Sequence, residues 1–377
     1  MQPELKPDRL LAKSVEGKWK GSYSLVGHTA DVVGTVTTLV DVLGDRILQQ
    51  FNLDCSLKDL RETVRLTAYL HDWGKANDHF QGVVRQRMAG ASPKRNAMQT
   101  PQLVRHEILS LLLAWEFKDW LKHADGDFQI ALVAAGGHHL KLGGKCGKQL
   151  DEIDDSVIRP CGDNALYTYL FHPDFKRLLR FGIKKLGCPA QLNFCCKPEV
   201  KWPVKRIKDS LQDLLFEEFP KFNLDPVFTA VVKALLVCGD SIGSAAPSVR
   251  TSITAWITEE VNCTLDQEKT QAIIDARLAG HTLRPFQNNL ADSSARVTLA
   301  RAGCGTGKTL GAYAWAKFHA DGRKLFFCYP TTGTSTEGFI DYVHGKADAA
   351  LLHSRADVDL ARWEAERTID DIYATGE

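Results

Sequence analysis

The adjacent pair His71-Asp72, inside AYLHDWGKANDHF, is the first point in this sequence where residue types and spacing could do chemistry. An imidazole and a carboxylate side by side at a helix end can bind one or two divalent cations, with the carboxylate bridging. A His-Asp pair alone has little specificity in a chain of 377 residues. The order of the other candidates supplies it. His28 follows Gly27 and opens a helix, His106 opens another, and His138-His139 follows Gly136-Gly137. Asp240 sits in the apolar helix LLVCGDSIGS, where a carboxylate buried without a cation would be costly. His79, His123 and His172 have no such context and read as surface or internally satisfied histidines.

A second chemistry lies at Ala302-Gly-Cys-Gly-Thr-Gly-Lys-Thr309. A Gly-rich loop between a strand and a helix presents backbone N–H groups to phosphate. Gly305, Thr306, Gly307 and Lys308 would form that cradle. Lys308 would reach the β and γ phosphates of ATP, and Thr309 would meet Mg²⁺. Asp151-Glu-Ile-Asp154 spells an acidic box, but it precedes the loop and reads as a solvated acidic turn.

The net charge is +1, so any path for DNA must come from local basic patches. One is Lys176, Arg177, Arg180, Lys184 and Lys185, at helical spacing. The other runs from Lys197 to Lys208, where Lys205 and Arg206 follow Trp202. An aromatic beside cations is a common platform for stacking single-stranded bases, and the prolines there argue for loop. A solvated surface is the competing reading of both patches.

The elements that must position these residues change character along the chain. Up to about residue 260 the apolar periodicity is helical, as in Thr29 to Phe51, Leu60 to Leu70, His106 to Leu121 and Phe228 to Val237. Gly143 to Gly147 and Cys188 to Pro203 read as loops. After Thr282, Arg296-Val-Thr-Leu-Ala reads as a buried strand, a helix starts at Thr309, and Lys324-Leu-Phe-Phe-Cys-Tyr reads as a second strand. Together they predict one βαβ unit. The expected division is 1–265, a linker at 266–282, and 283–377.

Composition is that of a globular protein, 44% apolar and 25% charged. The polar N-terminus lacks an apolar leader, no apolar run approaches the roughly 18 residues of a membrane span, and the ten cysteines have no framework or zinc-finger spacing. A reducing cytoplasm suits this pattern, with no membrane association expected.

GHTADV, HDWGKANDHFQ, RHE, GGHH and GDSIGS resemble the successive motifs of the HD nuclease domain in the CRISPR-associated nuclease-helicase of type I systems. The resemblance spans most of residues 20–245. It implies a mainly α, HD-type phosphohydrolase domain holding two cations. One would be held by His28, His71, Asp72 and Asp240, the second by Asp72, His106, His138 and His139. Lys75 matches the family's lysine near the scissile phosphate. Two such ions can activate a water in line with phosphorus, and Mn, Fe, Co or Ni suit these ligands, with Mg also compatible. The implied activity is cleavage of single-stranded DNA. The implied partner is a crRNA-guided surveillance complex of the Cascade type.

The loop beginning with Ala302 rather than Gly resembles that of superfamily 2 helicases. Leu283-Arg-Pro-Phe-Gln287 resembles their Q motif, in which Gln287 would read adenine. Tyr329-Pro-Thr-Thr332 resembles motif Ia, placing Thr331 and Thr332 against DNA. His353, in Leu352-His-Ser-Arg-Ala356, reads as structural. No Asp-Glu box or arginine finger follows Thr309 within the sequence. The expectation is an incomplete α/β RecA-like lobe, without ATPase activity of its own, that the remainder of a helicase would complete. The tail 357–377, with seven acidic residues against Arg362 and Arg367, reads as a helix or as disordered. Two rival readings are an HD nucleotide phosphohydrolase and a catalytically inactive interaction module. A substrate panel separates the first, and metal analysis the second.

Overall fold

A computed structural model describes residues 8–14, 22–88, 103–139, 165–191, 200–245 and 252–375. The chain forms two units, Met1–Thr258 and Glu259–Glu377.

The first unit is helical. α1 (Leu25–Phe51) starts at Ser24, whose side chain accepts from the Gly27 N–H, and ends at Asn52 in the left-handed conformation. α2 (Leu57–Leu70) carries a reciprocal cap, in which Ser56 and Asp59 satisfy each other's backbone. A 3₁₀ turn, Trp73–Lys75, follows His71-Asp72 and leads into α3 (Asp78–Met88). α4 (His106–Glu116) breaks at Phe117 before the short α5 (Lys118–Leu121), so the single helix expected from His106 to Leu121 is two. α6 (Phe128–Gly136) is capped by Asp127 and ends just before His138. β1 (Ala165–Tyr167) pairs antiparallel with β2 (Lys201–Pro203). Between them lies α7 (Pro173–Lys185), and after them α8 (Val204–Gln212).

α9 (Pro226–Ala245) packs on α1, α2 and α6. It is long and apolar enough by length and composition to cross a membrane, which amends the expectation that no run approaches that length. Its Phe228, Val232 and Leu236 are buried in this unit, and it carries Asp240. α10 (Ile253–Asn262) runs through the division between the units. Trp73 sits edge-on to Tyr69, Phe117 and Phe175 at 5.1–5.4 Å between ring centroids. Such pairs add about 0.5–1.5 kcal/mol each beyond burial, and they anchor the turn that follows Asp72.

In the second unit, residues 266–282, expected as a linker, carry α11 (Gln267–Leu278). Its Ile273 and Ile274 join Ala291 of α12 (Pro285–Ala291), Leu310 and Tyr313 of α13 (Lys308–His319), and Tyr342 of α14 (Thr332–Tyr342) in one core. α15 (Ala356–Thr375) makes most of the acidic tail helical. The two expected strands do not form a ladder among the described residues. Val297, Leu299 and Phe326 are exposed instead, Leu299 by 94%. A parallel pair is stable only with flanking strands and with both faces covered, and the described residues bring no such strands beside these segments. Among its described residues the second unit is therefore helical, with a glycine-containing turn leading into α13.

The 143–147 loop, the 151–154 acidic box, and Lys197 of the second basic stretch lie outside the described residues.

Candidate metal centre

His28 lies in the first turn of α1, His71-Asp72 follows α2, His106 opens α4, His138-His139 follows α6, and Asp240 sits on α9. The fold brings these seven together. Asp72, 1% exposed, stands at the middle. Its Oδ2 lies 3.2 Å from His28 Nε2 and 3.3 Å from His71 Nε2, while its Oδ1 lies 3.4 Å from His106 Nε2. Asp240 Oδ1 is 3.1 Å from His28 Nε2 and 3.8 Å from His71 Nε2. Two groups of ligand atoms result: His28, His71 and Asp240 on one side, and His106, His138 and His139 on the other. Within each, the atoms lie within 4.8 Å of one another.

The imidazole orientations fit a cation. His71 Nδ1 lies 2.7 Å from the Ala68 carbonyl and His138 Nδ1 lies 2.5 Å from the Ala135 carbonyl. A carbonyl only accepts, so each Nδ1 carries a proton and Nε2 is the ring atom turned toward the centre. Nε2 of His71, His106 and His138 are buried and make no well-formed hydrogen bond. These Nε2 atoms and the Asp72 oxygens, 3.3–3.4 Å apart, are donor types that a divalent cation between them could take as ligands.

Lys75 Nζ meets Asp72 Oδ2 at 2.6 Å. The buried Gln81 donates to the Lys75 carbonyl at 2.9 Å and to the Leu11 carbonyl at 2.8 Å, so the lysine's backbone is pinned. Burial would raise the Asp72 carboxyl, but His71, Lys75 and His28 outweigh it and hold it well below the carboxylate range. Asp240 is likewise pulled down against its burial by the hydrogen bond from His28 and by His71. Burial first, then Lys75, drives His106 well below the usual imidazole value. Burial and His71 push His138 down to about 3. His28 moves the other way: burial lowers it, but its bonds to Asp240 and Asp72 more than compensate.

These directions give the metal-free protein an acid-labile fold. Below pH ~6.5 the unfolded chain protonates His106 and His138 while the folded one does not. Their contribution is complete above that pH and is lost as pH falls toward about 3. His28 has the opposite sign: its contribution is complete below pH ~6.5 and fades above, so it does not offset the loss. Urea unfolding of chelator-treated protein should lose up to about 1.4 kcal/mol per pH unit for each of the two rings between pH 6.5 and 5. A flat or rising profile would contradict the neutral rings.

Other sequence-derived candidates fall differently. His172 is buried and caps α7, its Nδ1 accepting from the Asp174 N–H, and His123 is exposed. Trp202 cannot be a base-stacking platform, because it is 1% exposed. Its ring lies under Arg206 at 4.0 Å, and Arg206 also pairs with Glu116 at 3.0 Å. Lys205 is exposed on α8, and the described part of this stretch from Lys201 onward is strand and helix rather than loop.

In the second unit, Gly305 and Gly307 adopt φ of 71° and 84°, which a Cβ would strain. Lys308 Nζ donates to the carbonyls of Ala302 and Gly303. Thr306 bonds the Gly303 carbonyl, and Thr309 stands in the first turn of α13. Gln287 is buried, accepting from the Arg284 N–H and donating to the Gly307 carbonyl. Its amide is therefore engaged with the Gly-rich turn at one end and its own helix start at the other. Thr331 caps α14, Thr332 begins it, and both are exposed. His353 bonds Thr336 at 2.9 Å.

Sequence reasoning passed over Glu107 and Ser110. Ser110 Oγ donates to the His71 carbonyl and accepts from the Gly74 N–H, tying the turn to α4. Glu107 stood in RHE, and its only sequence signal was adjacency to His106.

Residues 11–246 match the family described as "Cas3, HD domain". A "Putative CRISPR-associated nuclease/helicase Cas3" of Myxococcus xanthus (strain DK1622) is 37% identical over 368 residues, 93% of this chain and 46% of the relative. The chain thus spans about half the length of that curated relative. Among solved structures, "Crystal structure of T. fusca Cas3-ATP" is similar at TM-score 0.43 and 17% identity, over 92% of this chain and 39% of that one. "Crystal structure of T. fusca Cas3-AMPPNP" is similar at 0.41 and 18%, over 93% and 40%. The seven converging residues all fall inside the matched span, and the chain belongs to the Cas3 HD-domain family.

Proposed function

We propose that the first unit is a metal-dependent nuclease that cleaves single-stranded DNA in CRISPR interference. The observation that carries this reading is Asp72, whose two oxygens face two separate ligand groups. His28, His71 and Asp240 would hold one divalent ion, His106, His138 and His139 a second, with Asp72 shared. Ions held there supply Lewis acidity toward phosphate and a water of lowered pKa.

The protein's own contribution is position and charge. His106 and His138, held below the usual imidazole value by burial, carry the neutral ring that ligation needs. Asp72 and Asp240 stay ionised. Lys75, part-buried beside Asp72, places a cation where a non-bridging phosphate oxygen gains charge. None of these groups depends on nucleotide, so single-strand cleavage is expected without ATP, while duplex needs another protein to open it. Recruitment to a crRNA-guided complex supplies that opening.

The test is a labelled single strand and its duplex, each with Mn²⁺, with and without ATP, alongside a dNTP panel. The expected result is cleavage of the single strand alone, indifferent to ATP. Hydrolysis of dNTPs with intact oligonucleotide would replace this reading with a nucleotide phosphohydrolase. Lys75→Ala should lower turnover about 10²-fold, the scale of one electrostatic group at a reacting centre, with metal content unchanged. Metal loss in step with activity would make Lys75 a structural partner of Asp72 instead.

A further inference from the structure

His106 is held differently from His71 and His138. Those two rings stand just beyond helix C-terminal ends, and each gives its Nδ1 proton to the carbonyl three residues back. Carbonyls in a last helical turn lack their usual i+4 N–H partner and have acceptor capacity left for a side chain, although that of Ala135 also takes the His138 N–H at 3.4 Å. His106 opens α4, with Arg105 at the cap position in an extended conformation. At a helix start the free backbone groups are N–H donors, so this ring has no helical carbonyl behind it.

What lies beside it is Glu107. Oε2 of this carboxylate is 3.3 Å from His106 Nδ1, and Oε1 accepts from Arg105 Nε at 2.6 Å. Glu107 is 1% exposed, a costly place for a carboxylate without partners. With one oxygen clamped by arginine, the other is fixed in direction.

We propose that Glu107 is a positioning residue for the second ion site. Its Oε2 accepts from the Nδ1–H of His106 and so aims Nε2 at Asp72, His138 and His139. Carboxylate–histidine pairs of this kind set the tautomer and ring orientation of metal ligands and raise their basicity. A purely structural alternative is an acidic residue in a helix's first turn, paired with the cap arginine. The role rests on the two-ion reading above.

The test is a Mn²⁺ titration of chelator-treated protein, followed by electron paramagnetic resonance without nucleic acid. Wild type should take up two equivalents. Glu107→Ala should keep the first and bind the second about 10–100-fold more weakly. Glu107→Gln, which retains an acceptor oxygen, should recover most of that loss. Two equivalents with unchanged affinities in Glu107→Ala would overturn the positioning role alone. A single equivalent in wild type would overturn the two-ion reading, and this role with it. If the alanine variant does not fold, the glutamine variant and ¹⁵N spectra of the metal-free wild type decide. The role requires the Nδ1–H tautomer at His106, and an Nε2–H signal there would refute it.

Discussion

Asp72→Ala should leave no measurable nuclease activity, a loss of at least about 10²–10³-fold by the usual worth of one charged group at a reacting centre. Among the described residues, Asp72 is the one carboxylate within 3.4 Å of histidines from both ligand groups. Removing it should therefore weaken metal uptake on both sides, where replacing His28 or His139 would affect one. The fold should survive, because the helices around the centre are held by their own cores. Lys75, 12% exposed at its side chain, can turn toward solvent once its partner is gone. Circular dichroism should keep its helical signal while bound Mn²⁺ falls below one equivalent. Wild-type cleavage with Mn²⁺ would dispose of the shared-ligand assignment.

Gly74→Ala should be the most damaging glycine-to-alanine change among the described residues of the first unit. A Cβ at Gly74 would lie 2.0 Å from the His106 carbonyl oxygen and 2.5 Å from the Ser110 N–H nitrogen. Both obstacles are backbone of α4, so no rotamer relieves the clash. Overpacking of this kind costs about 1–3 kcal/mol or more, and here it pries α4, with His106, away from the turn that carries Asp72. The expectation is a melting temperature lower by roughly 6–12 °C for a ~3 kcal/mol loss, with the second metal equivalent weakened. Gly82→Ala is the contrast, since nothing lies within 4 Å of a Cβ there. On an exposed helix position it should be neutral or gain up to about 1 kcal/mol. If Gly74→Ala melts with wild type and binds metal normally, the close approach of turn and helix is not what holds the centre together.

Much of the first unit was legible because its signals are local. The helix carrying His28 shows in the spacing of Val32, Val36, Leu39 and Val40, all buried. His28, His71, His106, His138 and Asp240 could be picked out because each sits at a helix end or on an apolar helix, where an isolated polar ring or carboxylate needs a partner. The family motifs then grouped them. Glu107 was invisible in that sense, since an acidic residue in a helix's first turn is ordinary, and only three-dimensional burial makes it unusual. Trp202 misled for the opposite reason. Cations around an aromatic suggest a stacking surface, yet the same neighbours also describe a core tryptophan roofed by an arginine guanidinium. The strand expectations around 296–300 and 324–329 were right about apolarity and wrong about pairing. A ladder is a property of neighbours, and apolar alternation in one segment does not supply them.

The hydrogen bonds from His71 and His138 to carbonyls three residues back also bear on how this centre tolerates sequence drift. Ala68 and Ala135 contribute to ring orientation only through main-chain oxygens, which every amino acid possesses. At those two positions the centre is blind to side-chain chemistry and constrained only by space, both being fully packed. What it cannot tolerate is a change in where α2 or α6 stops. A proline one turn before either end, or an added residue that carries the helix onward, would turn a ring without touching any ligand. Inherited variation in this site should therefore be permissive in composition and strict in helix length.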